Sequence, residues 1–300
     1  MKIVILIKSV PDTKIPLEWT EESGRLKEDW NACVLNPDDA LAVAEALKIK
    51  KRDAGTHITV VHLGPQSGCR FIRDALALGC DEGVRIWDEG LDDIHTAGKR
   101  LIFARAAAIV GFDLLITGTK SADTGSAQLG ILLASTLNLP CITRVESIDA
   151  VGPETITATR RLPRGYKEQV ESARPLVIAV EADEEPVLYA SFPDLSRAAE
   201  TDIPCFDLSD IGVPRQAIQR AESRLAFGPL RLPAPRVQFV QPPDSSLPAF
   251  ERRRQLQEGF HATRQGKVVR GSADDAAEEL FQTLLKQGWL GHLRGKSEKA

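Results

Sequence analysis

The thirteen residues from Gly118 to Gly130, "GTKSADTGSAQLG", close one apolar run and lead into another, and most of their side chains are small or polar. A backbone left that bare suits a phosphate. Free amides at the start of a helix favour an anion, and small side chains let it approach closely. Asp123 supplies an acceptor for a ribose hydroxyl, while Ser126 and the amides around it supply donors. Neither GxGxxG nor GxxxxGK[ST] is present, so the usual nucleotide fingerprints do not apply, and a polar loop that merely turns the chain is the competing reading.

No other constellation points to a protein-based catalyst. The five histidines, His57, His62, His95, His261 and His292, lack metal-ligand spacing, and an odd separation puts His57 and His62 on opposite faces of one strand. Cys33, Cys69, Cys80, Cys141 and Cys205 form no CxxC pair, which speaks against zinc and iron–sulfur sites. Cys69 lies near a helix start, where a thiolate is favoured, yet a buried helix cysteine is the commoner state. No GxSxG elbow occurs, and Asp92 and Asp93 read as helix-start charges. Trp19, Trp30, Trp87 and Trp289 read as core or interface anchors.

Composition narrows the partners. A chain of 300 residues with net charge -4 has room for one large or two modest domains, and it lacks the basic surface that nucleic acid or anionic membrane rewards. The scattered cysteines suggest a reduced, cytoplasmic chain. The opening "MKIVILIKSV" is too short an apolar run for a signal peptide or a spanning helix, so neither export nor membrane insertion is expected.

Short β-branched runs at Ile3–Ile7, His57–Gly64, Gly83–Asp88 and Asp113–Gly118 read as buried strands and alternate with helical patterns. One helix opens at "NPDDALAVAEALKIKK", with Asn36 as cap, Pro37 at the first position, Asp38 and Asp39 at the positive end, and Ala40, Leu41, Ala44 and Leu47 as its apolar stripe. Others end on Gly79 and Gly111. The run from Gly125 reads as the next helix. This alternation predicts an α/β fold, a mainly parallel sheet flanked by helices, with ligands beyond the carboxyl ends of the strands. Residues 1–185 are read as the α/β nucleotide-binding domain, including a hairpin near 155–181. Residues 186–271 form a partner-recognition loop and proline-rich arm, and 272–300 a terminal helix, capped by Ser272, and tail.

Taken in order, these pieces resemble the small (beta) subunit of electron-transferring flavoproteins. "MKIVILIKSVPDT" is similar to the family's opening strand and turn, "LNPDDALAVAEAL" to its Asn-Pro helix start, and "HLGPQSGCRFIRDALALGCDEGVRI" to its Gly-Pro loop, helix and strand. "GTKSADTGSAQLG" resembles the adenine-nucleotide loop, "EPVLYASFPDLSRAA" the partner-recognition loop, and "RVQFVQPP" with "GSADDAAEELFQTLLKQGWL" the C-terminal arm. The resemblance runs nearly end to end.

It implies an electron-transfer role beside a larger alpha subunit carrying FAD, with electrons passing between a dehydrogenase, such as an acyl-CoA dehydrogenase, and a quinone- or ferredoxin-linked acceptor. The implied nucleotide site comprises Leu6, Lys8, Asn36, Leu63, Gly64, Gly118, Thr119, Lys120, Ala122, Asp123, Thr124, Gly125, Ser126, Ala127, Gln128 and Leu129. The implied docking residues are Tyr189, Phe192 and Leu195.

AMP-holding members tend to read D-x-D-x-N-x-T-G and FAD-holding, electron-bifurcating members D-G-D-T-A-Q-V-G. "DTGSAQLG" keeps the ending of the second, which favours FAD over AMP, although Thr124 and Gly125 replace its Gly-Asp pair. Two features depart from the family: "SRAAETDIPCFDL" lacks the usual lysine-rich run, and Glu251–Arg270 is a long connection with six basic residues against two acidic. The alternative function is a stand-alone ATP- or AMP-binding module of the universal-stress type.

Overall fold

A computed structural model describes residues 1–16, 19–20, 25–26, 33–91, 94–183, 186–223, 245–258 and 271–286. Met1–Arg231 form one compact unit and Leu232–Ala300 a second. The first unit begins with β1 (Lys2–Ile7), β2 (Ser9–Pro11), β3 (Trp19–Thr20), β4 (Arg25–Leu26), β5 (Cys33–Leu35), α1 (Pro37–Arg52), β6 (His57–Leu63), α2 (Cys69–Leu78) and β7 (Glu82–Ile86). It continues with α3 (Thr96–Val110), β8 (Leu114–Gly118), α4 (Leu129–Leu137), β9 (Cys141–Val151), β10 (Thr155–Arg161), β11 (Lys167–Ala173), β12 (Leu176–Val180), α5 (Phe192–Glu200), β13 (Cys205–Phe206) and α6 (Arg215–Glu222).

Nine strands form one sheet in the order β11-β10-β9-β12-β8-β1-β6-β7-β13, and β2 pairs with β5 and β3 with β4 in two small ribbons. From β9 to β13 every pairing is parallel. The central strands are near-continuous Val, Ile and Leu because both of their faces are covered. One face carries Ile3, Ile5, Val60, Ile116 and Ile178 against α1 and α2. The other carries Val4, Leu6, Val61, Leu115 and Val177 against α3 and α4. This is the α/β architecture expected from the alternating pattern.

Local signals explain the helix limits. Gly79 and Gly111 end α2 and α3 with φ of +116° and +72°, and Asn138 ends α4 in the left-handed region at +56°. The stripe of α1 differs from expectation: Ala42, Val43, Ala46 and Ile49 enter the core, while Leu41 and Leu47 pack at its margin. Ala42 and Ala46, the small residues among them, let α1 lie close against the sheet. Glu45, buried beside them, accepts hydrogen bonds from Ile148 N (2.8 Å) and Lys48 Nζ (2.6 Å), so its charge is fully engaged.

The edge of the sheet also differs. β10 and β11 form the antiparallel hairpin around Pro163–Gly165, but residues 176–180 leave it at Pro175 and return as β12 to the centre, between β9 and β8. A proline cannot continue a ladder, so the hairpin stops there. In the second unit, α7 (Ala249–Glu258) and α8 (Ala273–Lys286) are helical. Ser272 Oγ accepts from Asp275 N (3.2 Å) while Asp275 takes Ser272 N (3.2 Å), a reciprocal cap of the expected kind. Among the described residues no helix is long and apolar enough to cross a membrane.

Ile116 is fully buried at the centre of the sheet. Ile116→Ala is expected to lower stability by about 2–5 kcal/mol in chemical denaturation, since a rigid parallel sheet collapses poorly into the cavity.

Candidate functional site

The site is built around the first turn of α1. Asn36, Asp38 and Asp39 are only 2%, 4% and 5% exposed, although each is polar. Asn36 stands at the N-cap position before Pro37 but makes no capping bond with its side chain. Its Oδ1 accepts from Ala122 N (2.9 Å) and its Nδ2 donates to Lys120 O (3.0 Å). Asp38 accepts from Lys120 N (3.0 Å) and Ala182 N (2.9 Å). Asp39 accepts from Lys8 N (2.8 Å) and Gly118 N (3.0 Å). The two aspartates, read from sequence as helix-end charges, therefore tie together the carboxyl ends of β1, β8 and β12.

Burial sets the electrostatics of that turn. It pushes the Asp39 carboxyl up to about 7, against the pull of bonds from Asn36, Lys8 and Gly118. Asp38 is raised by burial as well, with the Ala182 and Lys120 amides opposing. Gly118 is required by close approach: a Cβ there would overlap the Asp39 carboxylate and lie 2.8 Å from Asp38 Cβ.

Beyond Gly118 the loop is held at its base and open at its tip. Thr119 N donates to Val180 O (2.7 Å) and Thr119 Oγ1 to Ala179 O (3.1 Å), while Lys120 Nζ turns away to Glu181 (3.1 Å). Ser121 and Thr124 share a hydroxyl bond (2.9 Å), and Gly125 N closes a turn onto Ser121 O (2.9 Å). Positive φ at Gly125 (+58°) and Ala127 (+51°) prevents a helix there, so α4 starts only at Leu129. Ser126, Ala127 and Gln128 are exposed, and none of their three N–H groups donates within the described residues. Gly130 then lets α4 close onto the sheet, since its Cβ would lie 3.0 Å from Thr117 Oγ1 and 3.1 Å from Ala179 Cβ.

Charges flank this loop. Lys8 Nζ contacts both Asp123 oxygens (2.5 and 2.7 Å) and Ser121 Oγ (3.4 Å). Burial raises the Asp123 carboxyl, but the Lys8 and Ser121 bonds outweigh it and hold it below the usual range. Thr96 Oγ1, in the first turn of α3, lies 3.3 Å from Ser126 Oγ. Glu222, at the end of α6, accepts from His95 N (3.1 Å) and Gly98 N (2.7 Å) at the start of α3.

Of the other expected residues, Leu6 is buried with its side chain in the α3-side core and Leu63 packs against the same core. Gly64 donates to Ile86 O (3.1 Å) and covers His62, whose ring a Cβ at Gly64 or Gly68 would overlap. His62 is 1% exposed, both ring nitrogens lack partners, and burial, then Arg85 and Lys99, hold it neutral, with its pKa lowered to about 4. The docking candidates sit apart: Tyr189 and Phe192 are 87% and 79% exposed, Leu195 less so, and Ser191 Oγ accepts from Asp194 N to start α5. The paired aspartates and the residues of α3 and α6 escaped sequence reading. Only the adjacency of Asp38 and Asp39 to the Asn-Pro start was a usable signal.

The sequence is similar to those of known proteins. Residues 25–210, more than half of the chain, match the electron transfer flavoprotein domain. The electron transfer flavoprotein subunit beta of Bacillus subtilis is 28% identical over 217 residues, covering 72% of this chain and 82% of that protein. The caffeyl-CoA reductase-Etf complex subunit CarD of Acetobacterium woodii is 29% identical over 218 residues, with 72% and 82% covered. The subunit beta of Mycobacterium bovis is 30% identical over 226 residues, with 74% and 84% covered.

The chain is thus an α/β protein of the electron-transfer class. It belongs to the electron transfer flavoprotein family, on the beta-subunit side.

Asp39 gives a test of the α1 hub. A raised folded pKa means that its contribution is full below 3.8 and is lost as pH rises through about 7. Asp39→Asn, which sets an NH2 against one of two backbone donors, is expected to cost about 1–3 kcal/mol. The gap to wild type, measured by urea denaturation, should narrow as pH rises across that window. A pH-independent gap would contradict the assignment.

Proposed function

We propose that the crevice beyond β1 and β8 holds an adenine nucleotide, FAD in preference to AMP, and that the chain pairs with an FAD-carrying alpha subunit. The observation that carries the reading is the row of three undonated amides at Ser126, Ala127 and Gln128, open to solvent at the N-terminus of α4. They fit a phosphate. The backbone of Lys8 is taken up by Asp39 and Asn36, so the end of β1 contributes the Lys8 ammonium, and Asp123, while holding it, offers its remaining lone pairs to a ribose hydroxyl. The loop ending "SAQLG" favours the FAD form.

The flavin supplies the redox chemistry when bound, and the protein binds, orients and shields it. Electrons would pass from a dehydrogenase to a quinone- or ferredoxin-linked acceptor. One relative is named as a subunit of a caffeyl-CoA reductase complex, which supports an acyl-CoA-type partner and makes NADH-dependent bifurcation the reaction to assay. A cytoplasmic setting accords with the free cysteines. The stand-alone ATP- or AMP-binding module is set aside, because the relatives are named as subunits and the family match reaches residue 210.

The heterodimer, denatured and its nucleotides counted by chromatography, is expected to release two FAD and no AMP. One FAD with one AMP would make the chain a plain carrier. For docking, Phe192→Ala should raise the KM for the dehydrogenase by about ten-fold or more with flavin content unchanged, since an exposed aromatic anchor carries a large share of binding energy. Wild-type transfer by that variant would move the docking surface elsewhere.

A further inference from the structure

Lys99 lies in the second turn of α3, its backbone N–H bonded to His95 O (2.9 Å). Its ammonium makes no hydrogen bond or ion pair among the described residues. Burial lowers its pKa first, and repulsion from Lys8 lowers it further, while Asp123 and Glu222 oppose. His62, on β6, also feels its charge.

Neither carboxylate serves Lys99 directly. Asp123 is held by Lys8, and Glu222 is held by the His95 and Gly98 amides. A largely desolvated cation without a partner is costly, and an anion bound beside it removes that cost. The position is next to the nucleotide loop: Thr96, three residues earlier on α3 and so on the same face, reaches Ser126 of that loop. The crevice therefore has two separate stations for negative charge. One is the row of amides from Ser126 to Gln128, and the other is Lys99.

We propose that Lys99 anchors a second phosphate, so that the site selects a nucleotide bearing a diphosphate, FAD, over a monophosphate such as AMP. The inference rests on the nucleotide reading above. A monophosphate satisfies one station and leaves the other unpaired, whereas a diphosphate spans both.

The test uses the heterodimer with Lys99, Lys99→Met or Lys99→Arg, each checked for an unchanged unfolding temperature. FAD and AMP are titrated into protein depleted of the beta-site nucleotide and followed by equilibrium dialysis. Lys99→Met is expected to weaken FAD by about ten-fold or more and AMP by much less, the loss of a charged hydrogen bond. Lys99→Arg should restore FAD. Wild-type affinity should fall as pH rises toward the lysine range, and the arginine variant, which stays charged, should not follow. Equal FAD binding by Lys99→Met and wild type would overturn the proposal while leaving the nucleotide reading intact. Wild type that binds neither nucleotide at this site would overturn both.

Discussion

Three polar side chains buried at the start of α1 decide where the working edge of the sheet lies. Asn36, Asp38 and Asp39 make six hydrogen bonds to backbone at Lys8, Gly118, Lys120, Ala122 and Ala182, which lie in three stretches far apart in sequence. Parallel strands that end together leave unpaired N–H groups at their carboxyl edge, and those groups need acceptors once water is excluded. The side chains of α1 provide them. Each carboxylate loses hydration on burial, and the two amides on each offset part of that loss.

The same hub explains why the loop can be bare at its tip. Its base, from Gly118 to Ala122, is fixed by α1 and by β12, so the backbone from Ser126 to Gln128 need not satisfy itself. Ala127 sits in the left-handed region without being glycine, a conformation that costs of order 1 kcal/mol or more and persists only when its surroundings impose it. Strain of this kind keeps the amides of Ser126 to Gln128 out of α4, which starts at Leu129. A loop free to relax would fold those amides into the first turn of α4.

Much of this was legible in the sequence. Strands, alternation, glycine helix stops and the loop follow from local rules: β-branched runs, period-3.6 stripes, and left-handed caps at Gly79 and Gly111. What local rules miss is long-range pairing. Asp38 and Asp39 look like favourable charges at a helix start, and only the packing of α1 against three strand ends reveals them as acceptors. Ser126 to Gln128 look helical in composition, yet the φ of Gly125 and Ala127 keeps them out. Pro175 marks a break, but nothing near it shows that residues 176–180 cross to the middle of the sheet. Lys99, one cation among 38, stands out only when its neighbours are known to be engaged elsewhere.

The hub also links binding to docking. Asp38 holds Lys120 of the loop with one oxygen and Ala182 with the other, and Ala182 lies where the chain leaves β12 toward the exposed stretch that bears Tyr189 and Phe192. One carboxylate thus fixes the root of the nucleotide loop and the root of the segment read as the partner surface. Under the proposed flavin-binding role, orientation and electrostatics are the levers the protein supplies. Both pass through the first turn of α1, which holds the loop base at Lys120 and the chain at Ala182.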